Sequence, residues 1–174
     1  MKFSEEITNS THALIIYKTK YIYNNTEITI HIWDTAGQEM FNNIHPTYFF
    51  EAHAALFVFD TTRKVTYKNI NNWYNEFRTH CPSTPCLLIG NKIDLEKRSA
   101  ERKYALAEKM DCPFHLVSAA DGTNVVRVKL LFLTLKVFEE FIKLGFDYKT
   151  NPKKDYFSKI MDLLEDVNLY FYKK

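Results

Sequence analysis

CLLIGNKID, residues 86–94, is a short apolar run that stops abruptly in polar residues. It is the right length for a strand and too short for a buried helix, and strands buried on both faces read as such unbroken apolar runs. The same form recurs in AALFVFD at residues 54–60 and in PFHLVS at 113–118, with segments of helical periodicity between them. After Thr66, the residues Ile70, Trp73, Tyr74 and Phe77 fall at the i, i+3, i+4, i+7 spacing of a core-facing helix. Alternating strands and helices predict an α/β fold with a parallel sheet. Upstream, residues 13–23 and 26–33 are rich in Ile, Tyr and Thr and meet at Asn24-Asn25, whose side chains tolerate the positive φ of a tight turn. An antiparallel hairpin is expected there. Asp60, Asn91 and Ser118 each end a predicted parallel strand, where open α/β sheets gather their binding loops.

Those loops have a legible chemistry. Asn91-Lys92-Ile93-Asp94 suits guanine, which presents an N1 hydrogen and an exocyclic N2 amine side by side, matching the two oxygens of one carboxylate, that of Asp94. Lys92 can lay its methylene stem along the ring, and Asn91 can tie the loop to its neighbours. The bland alternative is a polar strand-to-helix turn. Ser118-Ala119-Ala120 is a turn of small residues whose backbone amide can meet guanine O6, though alone it signifies nothing. WDTAGQE, residues 33–39, follows a strand, so that Asp34 can face a Mg2+ shell and the Gly37 amide can approach a terminal phosphate closely. Gln38 would orient an attacking water. A lone D-x-x-G is weak evidence; the unbroken heptapeptide is far more specific.

From Thr11 through about Ile142 the chain resembles a Ras-superfamily GTPase of the Rab type. Within that group it is similar to the Rab-like protein 2 subfamily, on WDTAGQE, on RKVTYKNINNWY (residues 63–74) and on VSAADGTNVV (residues 117–126). Ala120 stands where ordinary Rabs usually carry the lysine of Ser-Ala-Lys. The resemblance implies a Ras-like P-loop NTPase sheet, mostly parallel with one antiparallel hairpin strand, that binds GTP or GDP with Mg2+. It also implies a role in intraflagellar transport and cilium assembly, with effectors at the ciliary base and among the transport machinery, in the cytoplasm and cilium. Thr11, 23 positions before Asp34, aligns with the magnesium-binding threonine of the family's first switch.

Two departures follow. A phosphate loop of the form G-x-x-x-x-G-K-[ST] needs two glycines five apart, and Gly37, Gly90, Gly122 and Gly145 offer no such pair. With Thr11 aligned to the first switch, the family's first strand, phosphate loop and first helix are expected to be missing from this sequence. Loss of that central strand is expected to leave residues 26–33 and 54–60 with unpaired inner edges and the chain poorly stable, unless N-terminal residues or a partner fill the gap. The second departure is an apolar insertion, Arg127 to Leu135, expected to extend the following helix by about two and a half turns and rotate its apolar face half a revolution. The missing lysine and amide cradle are expected to impair nucleotide binding and hydrolysis, and two readings of these departures stand open, an incomplete or misassembled coding sequence and a true non-catalytic pseudo-GTPase; a vesicle-traffic Rab is the remaining functional alternative.

At 174 residues and 46% hydrophobic content one core is expected, in a GTPase-like domain over residues 1–150. A helical extension is expected over 151–174, opened by Asn151-Pro152 and carrying Phe157, Ile160, Met161 and Leu164 on one face. A net charge of +2 without basic runs argues against nucleic acid as a partner. Cys81, Cys86 and Cys112 have neither zinc spacing nor an even count, and are expected as free thiols in a reducing cytosol. The N-terminal residues have no signal-peptide character and NLYFYKK holds no cysteine for prenylation, so no lipid anchor is expected.

Overall fold

The computed structural model describes residues 14–35, 49, 51–95, 104–125, 127–129, 132–134, 136–150 and 166–173. Strand β1 (Leu14–Tyr23) pairs antiparallel with β2 (Thr26–Thr35), Tyr23 facing Thr26. Asn24 and Asn25 turn the chain with φ of 49° and 61°. Both central turn residues thus take the left-handed conformation of the hairpin turns that match strand twist.

The chain then alternates as expected: β3 (Ala54–Asp60), α1 (Lys64–His80), β4 (Cys86–Asn91), α2 (Ala105–Met110) and β5 (Phe114–Leu116). β3, β4 and β5 are successive parallel neighbours. β3 is buried on both faces, which explains its unbroken apolar sequence. Ala55, Phe57 and Phe59 meet Ile70 and Phe77 of α1 and Leu106 and Met110 of α2, while Ala54 and Leu56 join Val137, Phe141 and Ile142 on the other side. Of the predicted α1 stripe, Ile70 and Phe77 are buried, and Trp73 and Tyr74 half-buried beside them.

The insertion does not behave as the helical extrapolation requires. Arg127–Lys129 (β6) and Phe132–Thr134 (β7) pair antiparallel as a separate two-stranded sheet, and helix α3 (Lys136–Lys149) starts after them. The residues between Val125 and Lys136 therefore impose no rotation on the helix, and Val137, Phe141 and Ile142 pack onto the main sheet.

The second correction concerns the gap. Residues 166–173, read as part of a helical extension, form a strand, β8 (Asp166–Lys173), and the main sheet runs β1-β2-β8-β3-β4-β5. β8 is parallel to β2, with Thr29 facing Asp166 and Thr35 facing Tyr172, and parallel to β3, with Ala54 facing Leu169 and Val58 facing Lys173. The inner edges expected to be bare are thus paired by a C-terminal segment, rather than by N-terminal residues or a partner. Leu169 and Phe171 stand in register with Ala54 and Leu56, and Tyr170 and Tyr172 with Ala55 and Phe57. Phe157, Ile160, Met161 and Leu164 lie outside the described residues. Apart from β1, every strand of this sheet is parallel, which is the Ras-like α/β arrangement with one antiparallel hairpin strand. Among the described residues, no helix is long and apolar enough to cross a membrane.

Candidate functional site

The carboxyl ends of β3, β4 and β5 lie side by side and are fastened to one another. The Val117 amide donates to the Gly90 carbonyl at 2.8 Å, the Thr61 amide to the Asn91 carbonyl at 3.0 Å, and the Ile93 amide to the Val117 carbonyl at 3.3 Å. Position 90 is tightly enclosed: a Cβ added there would lie 2.7 Å from Leu116 Cδ2 and 2.9 Å from Phe59 Cζ, so those side chains would have to shift.

Asn91 bridges two loops. Its Oδ1 accepts the Lys92 amide at 2.8 Å and the Ala119 amide at 3.0 Å, the tie between neighbours expected of it. Lys92 takes a left-handed φ of 70°, and the Leu95 amide returns to its carbonyl at 3.1 Å, closing a turn around the exposed Asp94. The second loop closes on Ser118, which is fully buried. Its Oγ accepts the Asp121 amide at 3.2 Å and its amide donates to the Thr123 carbonyl at 2.9 Å. Ala119 and Ala120 are left exposed at the tip.

Asp60 completes the group from the end of β3. Only 4% exposed, it accepts at Oδ1 from the Thr62 amide at 2.9 Å and the Thr62 hydroxyl at 2.6 Å, and pairs at Oδ2 with Lys92 Nζ at 2.9 Å. Burial alone would raise its carboxyl, but the Thr62 bonds and the Lys92 ammonium outweigh burial and hold it below the ordinary carboxylate value. Buried Thr66 fixes the backbone beneath: its hydroxyl accepts the Asp60 amide at 3.0 Å and donates to the Arg63 carbonyl at 2.7 Å.

Asp34 stands near the carboxyl end of β2, level with Ile15 of β1 and Phe171 of β8. It is half-buried and on the same edge of the sheet as Asn91. Three interstrand spacings, about 14 Å in all, separate β2 from β4. Asn91, Lys92, Asp94, Ser118, Ala119 and Ala120 thus form one cluster, with Asp34 farther along the edge. Thr11, Gly37 and Gln38 lie outside the described residues.

The Ras family model matches residues 1–136. The chain belongs to the Ras family. This Ras-family chain is 42% identical over 160 residues to a Rab-like protein 2A of Pongo abelii, covering 92% of the chain and 66% of that protein. It is 40% identical over 160 residues to a Rab-like protein 2A of Mus musculus, covering 92% and 67%, and 41% identical to a Rab-like protein 2B of Homo sapiens, covering 92% and 65%. It spans about two thirds of the length of these curated relatives. It is a Rab-like member of the Ras superfamily, as WDTAGQE and the two longer strings led one to expect.

Guanine nucleotide is expected of a Ras-family chain, and the residues present fit its base: an exposed carboxylate at Asp94, a braced lysine stem at Lys92 and small exposed residues at the Ser118 turn. Sequence reasoning placed Asp60 at the right edge of the sheet and missed its bond to Lys92. The only hint available was that AALFVFD ends in a carboxylate.

Proposed function

We propose that this protein is a guanine-nucleotide-binding switch acting in intraflagellar transport and cilium assembly. One observation carries the nucleotide reading: the Asn91–Asp94 turn is joined through the Asn91 side chain to the Ser118–Ala120 turn, so that both base-contacting loops are held as one unit. In this reading Asp94 accepts from guanine N1 and N2, the Lys92 stem covers one face of the ring, and an amide of the Ser118–Ala120 turn donates to O6. Thr11 and Asp34 are assigned to Mg2+, which when bound offsets phosphate charge. Gly37 is assigned to the terminal phosphate, and Gln38 to orienting the hydrolytic water. Effectors at the ciliary base and among transport trains, and a cytoplasmic and ciliary location, follow from likeness to the Rab-like protein 2 subfamily.

The test is binding of a fluorescent GDP analogue to purified protein. Saturable binding competed by GDP and not by ADP, with that preference lost in Asp94→Asn, is expected. No saturable binding, or equal competition by ADP, refutes the nucleotide reading. The ciliary part fails if removing the gene leaves cilium length and train movement unchanged.

A second reading, a non-catalytic module with Rab-like surfaces, is favoured by one observation. The strand between β2 and β3 is β8, and its sequence DVNLYFYK holds no glycine for close approach to phosphate. Binding without measurable GTP hydrolysis would select it.

A further inference from the structure

We propose that Asp60 is a positioning residue for guanine recognition, holding Lys92 and through it the turn that presents Asp94. This rests on the nucleotide reading above and deepens it.

The two Asp60 oxygens have separate tasks. Oδ1 is taken by the Thr62 amide and hydroxyl, which caps the start of the β3–α1 connection and would suffice for a purely local role. Oδ2 instead reaches the Lys92 ammonium at 2.9 Å, 32 positions along the chain. Lys92 needs such support. Its φ of 70° is unfavourable for a side-chain-bearing residue and persists only where surroundings fix it. It is gripped at both ends, its amide by Asn91 Oδ1 at 2.8 Å and its ammonium by Asp60.

The anchor is rigid where the lysine is not. Asp60 is 4% exposed at the end of a core strand, whereas the Lys92 side chain is 51% exposed. Left alone, a four-carbon stem on a surface turn would sample many rotamers, and holding its tip removes most of that freedom before a ring arrives. The pairing also neutralises a buried carboxylate at an edge where an anionic ligand would sit.

The experiment measures GDP-analogue affinity and melting temperature for wild type, Asp60→Asn, Lys92→Met and the double variant. Asparagine keeps an acceptor for Thr62 but sets an NH2 donor against the ammonium. Because Lys92 is half exposed, Asp60→Asn is expected to weaken GDP by about three- to tenfold, with no further loss in the Lys92→Met background. Thr62→Val, which strips only the hydroxyl from the other oxygen, is expected to lower the melting temperature and leave GDP affinity unchanged. An equal loss from Asp60→Asn in both lysine backgrounds, or no loss in either, overturns the proposal. Wild-type protein that binds no guanine nucleotide removes the underlying reading, whereas wild type that binds while Asp60→Asn is indifferent removes only this inference.

Discussion

Deleting residues 166–174 removes β8 from the interior of the sheet. Seven residues of β2, Thr29 to Thr35, and five of β3, Ala54 to Val58, face it in parallel register. In a parallel ladder about half the residues of a strand point their amide and carbonyl at a given neighbour, so about a dozen backbone groups lose their partners. Water entering the gap would satisfy some, so the low end of the hydrogen-bond range is appropriate, about 0.5–1 kcal/mol each. The sum, about 6–12 kcal/mol, is comparable to the whole stability of a domain, about 5–15 kcal/mol. The truncated chain is therefore expected to show no cooperative thermal transition by circular dichroism and to be digested rapidly under limited proteolysis. A finer probe is Leu169→Pro, since proline cannot donate to a ladder and Leu169 lies between Ile32 and Ala54. A truncated chain that melts within a few degrees of the full one would refute the assignment of β8 to this position.

Other consequences are smaller. Gly90→Ala forces a methyl against Leu116, Phe59 and Thr61, and is expected to cost about 1–3 kcal/mol and several degrees of melting temperature; an unchanged melt would show that β4 and β5 can part freely. Asp60 titrates below its ordinary value of 3.8 in the fold, so its carboxylate contributes stability above that value and loses it as pH falls through the folded value. Acid unfolding curves for wild type and Asp60→Asn should therefore draw together only as pH falls below 3.8 and through the folded value, and parallel curves throughout would contradict the assignment. Burial pushes the thiols of Cys81 and Cys112 up to about 11 and that of Cys86 up to about 12. Near neutral pH a thiol reagent should modify the native protein slowly and all three cysteines quickly in denaturant, and fast native labelling would show that this layer opens.

The readable parts of the fold were those settled by local chemistry. Asn24-Asn25 announced its turn because few other residues accept two successive positive φ values. Ile70 and Phe77 announced α1 because a 17-residue helix gives its periodicity room to repeat. β8 was misread because a short aromatic run after an Asn-Pro pair fits a docked helix as well as a strand, and only the vacancy between β2 and β3 decides between them. The insertion was misread for a related reason: extending a helix assumes that added residues stay helical, whereas Val128, Leu133 and their neighbours pair across a small sheet. At the site, Asn91 was readable as a brace since its amide can serve two loops. Asp60 was not, because its role depends on an ammonium brought near only by the parallel pairing of β3 with β4.

The small β6–β7 sheet has a practical meaning. Arg127 faces Thr134, so the segment returns to almost the point it started from. Such a detour makes its length nearly irrelevant to whatever follows, because closing a longer excursion adds only about 0.6 kcal/mol per doubling. A fluorescent reporter or an affinity epitope spliced between Lys129 and Phe132 should thus be carried as passive cargo, giving a labelling position on the C-terminal side of every residue assigned to the nucleotide.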